Sequence, residues 1–173
     1  MYVVLMAMLA LNISTEVLNG FSIVEESLNR TTSNSSKENE SIYSDFLEQM
    51  KTNPEKVKAW FDKATMVKQM SDSLFNLAQE LKLEIAREAD GDDADLNNIE
   101  RKDDLEAANQ VMLAPGTGRG KELRDAIDSF RQRILNMVSD PAKRKIIEGS
   151  LTTTIKGKSN PYNKNWEEYM FEG

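Results

Sequence analysis

The 173-residue chain contains no histidine and no cysteine, and these two absences exclude much of enzyme chemistry. Without histidine there is no Ser–His or Cys–His dyad, no histidine-ligated zinc and no histidine pH switch. Without cysteine there is no thiol nucleophile, thiolate metal site or disulfide, so the redox compartment cannot be inferred from cysteine usage. No pair of carboxylates at a catalytic spacing stands out either. We therefore expect no enzyme, no cofactor and no metal centre.

Glycine, proline and aromatic residues are also scarce: the chain has 8 Gly, 4 Pro and 7% aromatics. Hydrophobic residues make up 39%, which is low for a globular domain and favours a helical protein with narrow apolar seams over a large mixed core. Acidic residues outnumber basic ones by 29 to 22, a net charge of -7. Such a balance argues against nucleic acid as the main partner, because phosphates are bound by clustered Lys and Arg.

The first segment, residues 1–11, reads MYVVLMAMLAL and carries no charge. As a helix it spans about 16 Å, roughly half the hydrocarbon core of a bilayer. Three interpretations of this segment are possible: a signal-peptide core, a buried soluble helix, or the second half of a transmembrane helix that begins upstream. The third is favoured, because the apolar pattern continues beyond Leu11.

A heptad stripe extends this pattern towards residue 28, with apolar or small residues spaced three and four apart. Its members, the predicted interface between helices or with a partner, are Val3, Ala7, Ala10, Ser14, Val17, Phe21, Val24 and Leu28. Small residues come first, as close packing in lipid prefers, and larger ones follow, as packing in water prefers. The alternative is an ordinary amphipathic helix. The first cation is Arg30, so the body of the chain is expected outside the inner membrane, in the periplasm.

The chain divides into three predicted parts. Residues 1–28 form the transmembrane end and its periplasmic extension, and residues 42–173 form a helical-bundle domain. Residues 29–41 (NRTTSNSSKENES) between them are expected to form a polar loop, with a frayed helix end as the alternative. Within that domain, Asn53-Pro54 opens a helix of some 35 residues, about 50 Å long. Shorter helices are expected at 105–113, at 121–138, from Pro141 to about Glu148 with Gly149 as the stop, and from Trp166 to a truncated end.

Two segments imitate ligand-binding motifs. Residues 90–104 place Asp93, Asp95 and Asn97 at calcium-loop spacings, but Asn98 replaces the required glycine. Residues 114–121, APGTGRGK, imitate a phosphate-binding loop, but Pro115 and Glu122 stand where Gly and Ser or Thr are needed. Solvated turns between helices are the preferred interpretation of both.

Three blocks, in this order, resemble the GldM/PorM proteins of gliding motility and type IX secretion. They are YVVLMAMLALNIS followed by EVLNGF, then DLEAANQVMLAPGTGRGKELRDAIDSFRQRI, and then NPYNKNWEEYMFEG. The chain is similar to the end of the transmembrane helix and the first periplasmic domain of such a protein. The expected fold is therefore all-α and dimeric, with a transmembrane helix continuing into a periplasmic helical bundle.

The resemblance implies a motor subunit that converts proton motive force into mechanical motion. Family members are inner-membrane homodimers whose helices cross the lipid bilayer inside a ring of two-span GldL/PorL subunits. Their periplasmic part acts on downstream periplasmic and outer-membrane secretion components. Residues 1–28 contain no cation, so no proton-coupling residue can be transferred to this chain. A sensory receptor ectodomain and a soluble helical scaffold protein are the alternative functions.

Overall fold

The structure is a computed structural model that describes residues 15–155 and 160–172, and for residues 15–19 and 21 it describes the backbone alone. The described residues form six helices and no strand, so the prediction of an all-α protein is confirmed. In chain order these are α1 (Thr15–Thr52), α2 (Pro54–Asp90), α3 (Leu105–Leu113), α4 (Gly120–Met137), α5 (Pro141–Ser150) and α6 (Trp166–Phe171). The chain forms two compact units, of which the first ends at Phe61 and the second begins at Asp62.

The polar loop predicted at residues 29–41 does not occur, because α1 continues through these residues without a break. Neither glycine nor proline interrupts the segment, and local contacts support its helical form. Arg30 pairs with Glu26 at 2.9 Å, and the hydroxyl of Thr31 donates to the carbonyl of Ser27 at 2.9 Å. The run of Ser, Thr and Asn lowers helix propensity without ending the helix.

A sharp turn follows α1 in the first unit. A single residue, Asn53, separates α1 from α2, and Pro54 occupies the first helical position, where its missing N–H costs nothing. Tyr43 of α1 stacks on Phe61 of α2, with ring centroids 5.5 Å apart. Since a straight helix would separate residues 43 and 61 by about 27 Å, the stacking shows that the chain reverses direction here.

The prediction of a long helix beginning at Pro54 is confirmed by α2, which has 37 residues. Gly91, with φ of +97°, ends it in the left-handed conformation that glycine adopts without strain. Asp90 then holds the connector back on the helix end, because its carboxylate accepts hydrogen bonds from the backbone N–H groups of Glu100 (2.8 Å) and Arg101 (2.9 Å). The acidic connector is thus folded against α2.

The core of the second unit is small. Six apolar residues of the described chain are buried: Leu81, Ala86 and Ala89 of α2, Ala107 and Met112 of α3, and Leu135 of α4. Most other apolar residues on the helix faces are half-buried. Narrow apolar seams, as the composition predicted, therefore hold these helices together.

The short helix α5 confirms the helix predicted at Pro141, but the predicted stop at Gly149 is wrong, since α5 continues to Ser150. Asp140 caps its first turn, accepting from the N–H of Ala142 at 2.8 Å. Arg144 of α5 donates to the carbonyls of Leu135 and of Val138, which are left unpaired where α4 ends. The two helices are thereby joined end to end.

No helix within the described ranges is both long enough and apolar enough to cross a membrane. The predicted membrane segment, residues 1–11, lies outside the described residues.

The buried Met112 provides a test of this small core. Met112 is only 2% exposed. Met112→Ala is therefore expected to leave a cavity in the core and to lower the free energy of unfolding by about 2–4 kcal/mol. Chemical denaturation monitored by circular dichroism measures the change. Met66→Ala is the matched control: Met66 is 50% exposed, and its truncation should cost below about 1 kcal/mol. Equal effects of the two substitutions would contradict the assignment of the core.

Candidate interaction surfaces

The predicted interface stripe lies mostly beyond the reach of the structure. Val3, Ala7, Ala10 and Ser14 fall outside the described residues. Val17 and Phe21 are part of α1, but only their backbone is described. The last two members, Val24 and Leu28, are 54% and 61% exposed. Ile23, beside them, is 69% exposed, so this part of α1 carries apolar side chains that remain more than half exposed in the described chain.

A groove of about 300 Å³ lies between α2 and α4 in the second unit, and we call it the α2/α4 groove. Its lining residues are Met70, Ser73, Leu74, Leu77, Ala126, Ser129, Phe130 and Arg133. Its apolar side chains, such as Leu74 and Phe130, are half-buried, while Ser129 and Arg133 are exposed. The groove therefore has an apolar floor, a polar rim and an opening to solvent.

Arg119 connects the two helices that form this groove. It lies just before α4, and its guanidinium reaches back to α2, where it contacts Glu80 at 2.7 Å and Glu84 at 2.5 Å. It also contacts Glu122 in the first turn of α4 at 2.7 Å. One cation thus meets three carboxylates, which sets the position of the start of α4 against α2.

These contacts change the protonation equilibria of the junction. Hydrogen bonding to Arg119 lowers the pKa of the Glu122 carboxyl, an effect that partial burial opposes. The hydrogen bonds that Arg119 donates to Glu122 and Glu80 raise the pKa of this guanidinium above its already high ordinary value, so it remains charged. The contact between Arg119 and Glu122 therefore depends on the ionisation of the Glu122 carboxyl.

The glycine-rich turn before α4 is shaped by close packing. A Cβ at Gly118 would lie 2.8 Å from the backbone of Leu113, and a Cβ at Gly120 would lie 2.8 Å from the carbonyl oxygen of Met112. The same Cβ at Gly120 would also lie 2.8 Å from Cβ of Glu167 in α6. These glycines thus allow α3, α4 and α6 to approach closely. Close packing of the helices therefore explains why glycines occur at these positions of the turn.

Ion pairs and hydrogen bonds connect α6 and residues 151–153 to α4. Both carboxylate oxygens of Glu167 accept from Nη1 of Arg124 at 2.9 Å, and Glu167 is only 8% exposed. Further along α4, Asp128 accepts from the hydroxyl of the buried Thr153 at 2.5 Å. Asp128 also pairs with Arg131, whose Nη1 donates to the carbonyl of Leu151. Helix α4 is therefore the element to which α6 and residues 151–153 are attached.

Comparison with protein families adds to this geometry. The sequence model of the GldM N-terminal domain matches residues 16–173, which is most of the chain. The chain belongs to the GldM family. This confirms the family inferred from the sequence blocks and makes the chain a component of type IX secretion and gliding motility. GldM proteins are associated with the inner membrane and have periplasmic domains. No curated protein matches the chain.

The acidic connector of this GldM domain uses its carboxylates for local structure. Asp95 accepts from the backbone N–H of Asn97 at 2.9 Å, which is an Asx turn. Asp104 caps α3 by accepting from the N–H groups of Glu106 and Ala107. Within the described ranges no three acidic side chains are grouped to hold a metal ion.

Sequence reasoning did not find the α2/α4 groove or the partners of Arg119 and Arg124. A signal for the groove is present: Met70, Leu74 and Leu77 follow helical spacing on α2, as do Ala126, Phe130 and Arg133 on α4. That spacing also describes an ordinary core seam, so it does not distinguish an open groove from a filled one. The partners of the arginines leave no periodic trace.

The pKa shift of Glu122 generates a pH-dependent prediction. Because its pKa is lower in the folded chain, its contribution to stability is complete above its ordinary pKa of 4.5 and is lost as pH falls through the folded value. Glu122→Gln should therefore lower the free energy of unfolding at pH 7, by about 0.5–1 kcal/mol for a half-exposed pair. The difference from the unaltered chain should shrink steadily below pH 4.5.

Urea denaturation at a series of pH values measures this difference. Glu148→Gln is the control, because Glu148 is exposed on α5 and makes no ion pair among the described residues. A Glu122→Gln effect that is the same at pH 3 and pH 7 would show that the substitution acts through packing and not through charge.

Two glycines on helices provide a matched pair for the packing argument. Gly120→Ala should destabilise the chain by about 1–3 kcal/mol, since the added methyl overlaps Glu167 and Met112. Gly149→Ala in α5 has nothing within 4 Å of the new Cβ and should stabilise by up to about 1 kcal/mol through helix propensity. Thermal unfolding measures both, and a stabilising Gly120→Ala would refute the close approach of α4 to α6.

Proposed function

We propose that this GldM-family chain is the motor subunit of the type IX secretion and gliding machinery. Two copies form an axle in the inner membrane, inside a ring of GldL/PorL-like subunits with two membrane spans each. Proton flow through that assembly turns the axle, and the periplasmic domain passes the motion to downstream periplasmic and outer-membrane components. The role is mechanical and requires no catalytic residue.

The form of α1 supports a part that transmits rotation. Its 38 residues make one continuous helix about 57 Å long, including the stretch at 29–41 that composition alone would leave as a loop. A flexible linker at this place would absorb torque, whereas a continuous helix carries it. This continuity is the observation that carries the proposal beyond family membership.

The apolar residues on α1 support pairing of two copies. Val24 and Leu28 are four residues apart, on one face of the helix, and both are exposed in the single chain. Exposed apolar stripes with this spacing are typical of helices that pack against a partner helix. In the proposed dimer each stripe covers the other.

The proposed location follows from the sequence pattern and the family. In this proposal residues 1–11 form the second half of a transmembrane helix, and the remainder of the chain lies in the periplasm. Lys and Arg are enriched on the cytoplasmic side of a membrane, and the first cation after this segment is Arg30. Small residues Ala7 and Ala10 allow the two membrane helices to pack closely.

Single-cysteine variants of the full-length protein test the paired axle in its native membrane. The chain has no cysteine of its own, so Leu28→Cys places the only thiol of this region on the stripe. We expect oxidation to join two copies through a disulfide. Secretion and gliding should continue after joining, because the two copies turn as one body inside the ring. Purification from the membrane should bring a small two-span protein in excess.

Glu26→Cys is the control, because residue 26 lies on the opposite face of α1 from Val24. It should give no disulfide-linked dimer under the same oxidation. Equal joining at positions 26 and 28, or none at position 28, would refute the paired stripe. Joining at position 28 that stops secretion would refute rotation of the two copies as one body.

A further inference from the structure

The α2/α4 groove is open along two helical turns on each side, from Met70 to Leu77 and from Ala126 to Arg133. The half-buried floor and exposed rim make it a trough, not an enclosed cavity. At about 300 Å³ it is at the small end of ligand pockets, but it has room for several side chains of a helix laid across it. Ser73, Ala126 and Ser129 are small, so a helix backbone can approach the trough closely.

The charge at the rim of the α2/α4 groove indicates which kind of ligand it complements. Three arginines at the start of or along α4 are already paired with carboxylates, namely Arg119, Arg124 and Arg131. Arg133 is different: it is exposed at the rim and has no ion-pair partner among the described residues. An unpaired guanidinium beside an apolar floor is complementary to a ligand with apolar side chains and a carboxylate.

The shape of the groove also limits what can fill it. In a symmetric contact between two copies through the same patch, one groove would face the other and both would bring an Arg133 into the interface. Two concave surfaces leave a void, and neither supplies a carboxylate for the Arg133 of the other, so the groove does not complement itself. Its complement is convex and acidic.

We propose that the α2/α4 groove binds an amphipathic helix of another protein, which places apolar side chains on Leu74 and Phe130 and a carboxylate on Arg133. This is the helix-in-groove mode of recognition, in which apolar residues at i, i+3 or i+4, and i+7 anchor the bound helix. Met70 in the floor adapts to different anchors, because its thioether side chain is flexible. The proposal does not depend on the motor role and goes beyond it.

Site-specific photocrosslinking in cells that produce the full-length protein tests the proposal. A photoreactive residue replaces Ser129 on the groove wall, and in a separate variant it replaces Gln132, which is exposed on α4 but does not line the groove. We expect an adduct at position 129 and not at position 132. Mass spectrometry should place the crosslink in an amphipathic helical segment of a different protein, with an acidic residue within one turn of the crosslinked position.

Substitutions of Arg133 at the rim form the second part of the crosslinking experiment. Arg133→Glu should lower the yield of the adduct at position 129 at least tenfold, Arg133→Lys should retain most of it, and Lys121→Glu on the same helix should leave it unchanged. Thermal unfolding should be nearly the same for all three, because Arg133 and Lys121 are exposed and make no hydrogen bond or ion pair among the described residues. An adduct with a second copy of the chain, equal yields at positions 129 and 132, or a yield insensitive to Arg133→Glu would each overturn the proposal.

Discussion

The second unit depends on how closely the first turn of α4 approaches its neighbours. At this turn Gly120 lies against the carbonyl of Met112 in α3 and against Glu167 in α6, at a distance that leaves no space for a Cβ. The residue before it, Arg119, reaches α2 through Glu80 and Glu84. Four helices therefore meet around one turn. A side chain at Gly120 would force Met112 or Glu167 to shift, and the contact of Arg124 with Glu167 depends on their present positions.

Charged contacts rather than core volume define the geometry of this unit. With six buried apolar residues, burial alone gives each helix little resistance to sliding or rotating about its neighbours. Arginine contacts are directional, because a guanidinium presents its N–H groups in a fixed plane. The pair of Arg124 and Glu167 is largely buried, so loss of one partner would leave the other charge without compensation, at a cost of several kcal/mol. Specific orientation is thus achieved with a small core.

The sequence predicts the helices of this chain better than their contacts. Pro54, Pro141 and the spacing of apolar residues place the beginnings of α2 and α5 correctly, because these signals act within a few residues. The loop predicted at residues 29–41 is wrong because that prediction also used local signals alone. Ser, Thr and Asn favour turns, but here they lie within a continuous helix. Arg119 and Glu80 are 39 residues apart, and Arg124 and Glu167 are 43 apart. Such pairs leave no periodic signal, so the junction emerges only from the folded chain, and the periodic signal of the groove does not show that it is open.

The two uncovered surfaces differ in shape, and the difference has a consequence for assembly. The stripe on α1 is convex and uncharged at Val24 and Leu28, so the same stripe on another copy can pack against it around a twofold axis. The α2/α4 groove is concave and carries Arg133, so a copy of itself cannot fill it. The proposed pairing through α1 and the proposed binding of a further helix therefore use different residues of the chain.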